Sequence, residues 1–179
     1  MMPGPGRIPP PPPLRPMRRF VTDLLTGGAL MALLHLFVVQ VSVVKGHSME
    51  PSLWDGDRLV VDRISYAMMD VERFDLVVLR YPKDPSVDFV KRVVGLPGDL
   101  LALEDGKLYV NGEVVDMPCS IVPDRADMAA IRVPDGSYFV LGDNRPISCD
   151  SREFDFVPAE YMKGKVRARF WPLARAELF

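Results

Sequence analysis

Histidine and cysteine are scarce: the 179 residues hold two of each. His35, His47, Cys119 and Cys149 show no C-x-x-C or H-x-x-x-H spacing. A zinc site is therefore not expected, and no cofactor is called for. Charge of one sign is also missing. The formal net charge is -2, which offers no basic face and argues against a nucleic-acid partner. No internal repeat is visible. The length suits one compact domain with an appendage, not two full domains.

What is present divides the chain in three. Residues 1–19 read as a disordered, proline-rich tail. Pro9 to Pro13 run without a break, and proline lacks the backbone donor that a packed element needs. Residues 20–44 read as a membrane anchor. From Leu24 to Val44 there is no formal charge, and a helix of about 20 residues matches the hydrocarbon thickness of about 30 Å. Arg7, Arg15, Arg18 and Arg19 precede this stretch and only Lys45 follows closely. The positive-inside rule then places the N-terminus in the cytoplasm and the remainder outside. Val43-Val44-Lys45-Gly46 is no small-residue cleavage site, so retention of the anchor is expected over removal.

Residues 45–179 read as mostly β. Leu76 to Leu79, Phe89 to Val94, Tyr138 to Leu141 and Val166 to Trp171 are short runs rich in branched and aromatic residues. Asp105-Gly106 and Asn111-Gly112 mark tight hairpin turns inside a hairpin and loop insertion around 100–135.

A serine protease of the common kind needs a histidine base. His35 falls in the expected anchor. His47 adjoins Ser48, and neighbours on an extended chain point to opposite faces. A serine nucleophile here needs another base, and lysine is the established alternative. Lysine acts as a base only when neutral, so its pKa near 10.4 must fall by several units, as burial in apolar surroundings allows. Lys91 lies between Phe89 and Val93 on one strand face, with Val90 and Val94 on the other. Periodicity alone fits an exposed, edge-protecting lysine at least as well.

The stretch Gly46-His47-Ser48-Met49-Glu50-Pro51-Ser52-Leu53 resembles the nucleophile box of type I signal peptidases, S-M-x-P-[ST]-L. Arg73-Phe74-Asp75-Leu76-Val77-Val78 resembles that family's R-G-D-[IV]-V-V box. Lys91-Arg92-Val93-Val94-Gly95-Leu96-Pro97-Gly98-Asp99 resembles its K-R-x-x-G-x-P-G-D box. Gly142-Asp143-Asn144-Arg145 through Ser148-Cys149-Asp150-Ser151-Arg152 resembles G-D-N-R-x-x-S-x-D-S-R. The likeness spans roughly residues 20–173 and leaves out the proline tail and Glu113 to Pro134.

The resemblance implies a coiled antiparallel β-sheet catalytic domain behind one N-terminal transmembrane helix. It implies a membrane-bound serine endopeptidase that removes signal peptides from preproteins after small-x-small sites. Ser48 would be the nucleophile, Lys91 the general base and Ser148 the residue that orients the lysine. Val44, Leu53, Phe89 and Val90 would line the substrate pockets. Met49 reads as a packing residue, and Asp143, Arg145, Asp150 and Arg152 as the frame of the Ser148 loop. The expected partners are preprotein signal peptides, the lipid bilayer and the protein-export machinery. Trp54, Met68 and Met69 fit the lipid interface or the core equally. Cys119 and Cys149 would lie outside the cytoplasm, where a bridge would persist; the sequence leaves their pairing open.

Two positions depart from the pattern. Gly46 stands where some members carry a serine that donates to the oxyanion. Pro146-Ile147 replaces an acidic-amide pair. Two rival readings were weighed. A repressor-cleaving Ser-Lys autoprotease would need an N-terminal helix-turn-helix, which residues 1–44 do not offer. A catalytically inactive, membrane-tethered module that binds signal sequences would show a defective site, whereas Ser48, Lys91 and Ser148 are all present.

Overall fold

A computed structural model describes residues 15–64, 66 and 71–179. The chain divides into two units, Met1–Phe37 and Val38–Phe179. In the first, α1 spans Arg15–Val38. Its described side chains include Phe20, Leu24, Leu25, Leu30 and Met31, all exposed. Among the described residues, no helix is long and apolar enough to cross a membrane.

The secondary structure across the expected anchor at 20–44 is not one uniform helix. The helix starts earlier and ends at Val38, and Val39–Val43 form strand β1. The reason is legible in Val39-Gln40-Val41-Ser42-Val43, where branched residues recur with period two. Most of the expected tail at 1–19 lies outside the described residues; Arg15 to Arg19 open the helix.

The second unit carries eleven further strands: β2 (Arg58–Asp62), β3 (Leu76–Tyr81), β4 (Asp84–Gly95), β5 (Leu100–Glu104), β6 (Lys107–Val110), β7 (Glu113–Val114), β8 (Met128–Arg132), β9 (Ser137–Leu141), β10 (Val157–Pro158), β11 (Met162–Trp171) and β12 (Glu177–Leu178). The larger sheet runs β1-β2-β11-β3-β4-β9-β10, with β12 also on β11. Every pairing within these strands is antiparallel. The expected insertion is a second sheet, β7-β6-β5-β8. Its first hairpin turns at Asp105-Gly106 and its second at Asn111-Gly112, and all four residues take positive φ. Asp, Asn and Gly accept that backbone at least cost.

Strand β4 positions the site. It is exposed from Asp84 to Asp88 and buried from Lys91 to Gly95. Its buried half lies between β3 and β9, with Lys91 opposite Val77. Lys91 thus enters the protein where the strand gains its second neighbour, and it is not an edge residue.

Candidate active site

Ser48 sits on the turn that follows β1. Leu53 N–H donates to Met49 O at 2.9 Å and Glu50 N–H to His47 O at 3.2 Å. Met49 and Leu53 point into the core beside Val44 and Leu59. Packing is the role expected of Met49. Leu53, expected in a substrate pocket, has no exposed surface and is a core residue instead. One helical turn aligns positions i and i+4, so the two side chains share the inward face.

Lys91 Nζ lies 2.7 Å from Ser48 Oγ, donating to it. The lysine is 3% exposed. Burial pulls its pKa down from 10.5 to about 8, against the opposing pull of the Asp150 carboxylate, the Cys149 thiol and Asp143. Its ammonium stands 5.0 Å from the centre of the Phe89 ring, an apolar neighbour that still favours a cation on its face.

The loop after β9 is stitched to the Ser48 turn. Asn144 donates its N–H to Ser48 O at 3.0 Å and its side-chain amide to His47 O at 3.2 Å. Asp150 has no exposed surface. It accepts from Gly142 N–H at 3.0 Å and is gripped by Arg152 through Nε and Nη2, both at 2.8 Å. It also caps the short helix α2, Ser151–Phe154. Arg152 reaches on to Arg145 O and Asp124. Asp143 pairs outside the loop, with Arg92 of β4. Arg145 bonds Gly142 O through Nε.

Ser148 is 5% exposed, and its Oγ has no hydrogen-bond partner among the described residues. The expected bond to Lys91 is thus not formed in this conformation. The hydroxyl packs tightly over Gly142: a Cβ there would stand 2.5 Å from Ser148 Cβ and 2.5 Å from Ser48 O. Gly142→Ala should therefore push the two serines apart. We expect hydrolytic kcat/KM to fall about tenfold or more, in line with the steep dependence of catalysis on placement. Parent-like kinetics would show that the loop yields without moving Ser48.

A cleft of about 370 Å³ opens over the pair. Val43, Val44, Phe89, Val90, Ile147 and Cys149 wall it, beside Ser48 and Lys91. Val44, Phe89 and Val90 were expected there; Val43, Ile147 and Cys149 were not. Ile147 has no counterpart in the family box, so only the fold reveals it. Gly46 takes φ +92° with open space around it. A side chain at that backbone would be strained, which accounts for the glycine. Ser48 N–H enters no hydrogen bond of the turn among the described residues and is free to donate.

Cys119 and Cys149 are free thiols. Burial pushes both pKa values up, and Cys149 Sγ lies 4.0 Å from the Tyr81 hydroxyl. Trp54 is surface-exposed with Arg175 over its ring at 5.7 Å. Met68 and Met69 lie outside the described residues.

A serine hydroxyl within hydrogen-bond reach of a buried lysine amine is the arrangement of a serine hydrolase that works without histidine. Comparison with known proteins takes this further. Residues 17–171 match the family described as "Signal peptidase, peptidase S26". A signal peptidase I of Bacillus caldolyticus is 42% identical over 158 residues, covering 80% of this chain and 85% of that one. A probable signal peptidase I-2 of Synechocystis is 38% identical over 160 residues, covering 87% and 73%. Signal peptidase IB of Staphylococcus aureus is 32% identical over 174 residues, covering 87% and 90%. A crystal structure of a signal peptidase I from Enterococcus faecalis covers 54% of this chain and 96% of its own, at 33% identity and a TM-score of 0.48. The chain belongs to the signal peptidase family, peptidase S26, whose members are serine endopeptidases.

Proposed function

We propose that this chain cuts signal peptides from exported preproteins after small-x-small sites, with Ser48 as nucleophile and Lys91 as general base. The observation that carries the reading is the buried Lys91 amine, 2.7 Å from Ser48 Oγ, both lining a cleft that Val44, Phe89 and Val90 help to wall. Neutral Lys91 takes the seryl proton as Oγ attacks the scissile carbonyl. Ser48 N–H donates to the oxyanion. Lys91 then protonates the leaving amine, which departs as the new N-terminus and leaves an acyl-enzyme. Water, deprotonated by the same amine, completes hydrolysis. Ser148 is assigned as the orienting third member, its unengaged hydroxyl accepting from the lysine once that group carries the proton. Walls made of Val44, Phe89 and Val90 suit small apolar side chains before the cut.

Membrane attachment belongs to the same proposal. The exposed apolar side chains of α1 are unsuited to water, and Arg15, Arg18 and Arg19 precede them on the cytoplasmic side by the positive-inside rule. On the catalytic unit, exposed Trp54, Trp171 and Leu173 suit the headgroup layer. The protein-export machinery is a further proposed partner.

The test is cleavage of a labelled preprotein carrying an Ala-x-Ala site by the full chain in lipid vesicles. The working base is the deprotonated amine, so the rate should climb as pH rises through about 8 and level off above it. Ser48→Ala should leave no measurable cutting; undiminished cutting by that variant overturns the proposal.

A further inference from the structure

The Ser48 turn is held from behind chiefly by the Arg169 guanidinium, with a longer contact from Arg92 Nη2 to Ser52 Oγ at 3.4 Å. Two backbone bonds close the neck of the loop, Val44 N–H to Asp57 O at 2.8 Å and Gly56 N–H to Val44 O at 3.0 Å. Beyond the turn lies a cavity of about 690 Å³, lined in part by Pro51, Ser52, Arg92 and Arg169. The Pro51–Ser52 side of the turn thus faces open space, and the groups that reach it set its height.

Arg169 on β11 is the chief of these. It is 7% exposed. Its Nη1 donates to Ser52 O at 2.6 Å and to Asp57 Oδ2 at 3.3 Å. Asp57 has no exposed surface and also accepts from Trp54 N–H at 2.9 Å, so the carboxylate belongs to the same loop. The other two nitrogens of Arg169 are engaged as well. Nη2 binds Glu177 Oε2 at 2.7 Å and Nε binds Arg175 O. The Phe179 ring lies 5.9 Å from the guanidinium carbon. Arg175 adds a second cation on Asp57 at 2.6 Å. The guanidinium therefore cannot swing away from Ser52 without giving up several other partners.

We propose that Arg169 is a positioning residue for catalysis, fixing Ser48 over Lys91 by gripping the turn at the Ser52 carbonyl. This rests on Ser48 being the nucleophile. Only a planar fork meets these acceptors together; a lysine supplies the charge but not the fork. A displacement of about 1 Å at a reacting atom costs on the order of a hundredfold in rate.

The experiment compares Arg169→Lys, Glu177→Gln and Ser48→Ala in the full chain, below the unfolding temperature of each. Arg169→Lys should lower kcat about 10- to 100-fold while KM stays within about threefold. Glu177→Gln removes an outer partner and leaves the Ser52 contact, so kcat should stay within about twofold. A residue that only stabilises the fold would lower the melting temperature and leave kcat of the folded protein unchanged; that result for Arg169→Lys overturns the proposal. Should Arg169→Lys not fold, Asp57→Asn is read in its place. It weakens the charge that orients Arg169, with a tenfold or greater loss of kcat expected and an unchanged kcat overturning the idea. Ser48→Ala separates the two levels. If it is inactive while the arginine variant is unaffected, only the positioning role fails; if it is active, the dyad itself fails.

Discussion

Replacing Lys91 with methionine is expected to abolish cleavage and, at neutral pH, to make the protein harder to unfold. On the proposed mechanism, loss of the base removes the means to activate Ser48, so a fall of about 10⁴-fold or more in kcat is expected. The gain in stability follows from the same burial that tunes the base. The lysine titrates near 10.5 unfolded and about 8 folded. Below about 8 both states are protonated, and the folded state bears the full cost of a buried ammonium. Between about 8 and 10.5 the unfolded chain holds a proton that the folded protein has released, so stability rises with pH. Above 10.5 the cost is gone. A shift of this size corresponds to about 3 kcal/mol as an upper bound. Methionine has similar length and no charge, and forfeits the bond to Ser48 and the ammonium's attraction to the Phe89 ring, Asp150 and Asp143. Urea unfolding of the parent and of Lys91→Met from pH 6 to 10.5 should show the variant ahead by on the order of 2 kcal/mol at pH 7, with the gap closing as pH rises. A gap that is absent at pH 7, or constant across the range, would mean that burial does not depress this lysine.

The second large effect lies one residue further along β4. Arg92→Ala should destabilise the protein by about 3–5 kcal/mol, the usual cost of stranding one member of a buried ion pair. The Arg92 and Asp143 side chains are 7% and 1% exposed and meet through two bonds of 2.9 and 2.7 Å. Without the guanidinium, Asp143 keeps a desolvated charge. The arginine also donates to Phe74 O at 2.9 Å, so β3 and the Asn144 loop loosen together, and cleavage should fall with stability. Arg92→Ala/Asp143→Ala, which removes both charges, should recover a substantial part of the loss because no charge is left stranded. If the double variant is as unstable as the sum of the singles, the damage comes from lost packing and hydrogen bonds rather than from an unpaired carboxylate.

The parts of the site that were legible in the sequence are those written in contiguous boxes. Ser48, Lys91 and the Gly142–Arg152 loop announce themselves by residue order. Lys91 was ambiguous by periodicity, because alternation does not say what covers a strand face; the Ser48 turn lies over it, with Ser48 Oγ 2.7 Å from its amine. Leu53 was misread because a lone apolar residue beside a nucleophile looks like a pocket wall until the Met49–Leu53 turn shows which way it points. The strand at Val39–Val43 was hidden by the apolar run that contains it: a uniform lack of charge masks a period of two. The pairings of Arg92 and Arg169 were illegible in principle. Their anchoring partners Asp143 and Asp57 stand 51 and 112 residues away, and no local pattern encodes a charge pair of that span.

The placement of Lys91 at the point where β4 acquires β9 has a consequence for the timing of activity during biogenesis. Strand β9 is made 42 residues after Gly95 ends β4, at Ser137. The loop that follows β9 carries Cys149 and Asp150, which stand near the Lys91 amine, and before that loop is in place the lysine lacks part of the burial that lowers its pKa from the ordinary value near 10.4. If Lys91 is the base, as proposed, the depressed pKa that lets it work is a property of the completed fold, and cutting power would arrive only with the whole molecule, as it does in proteases that shed a pro-segment.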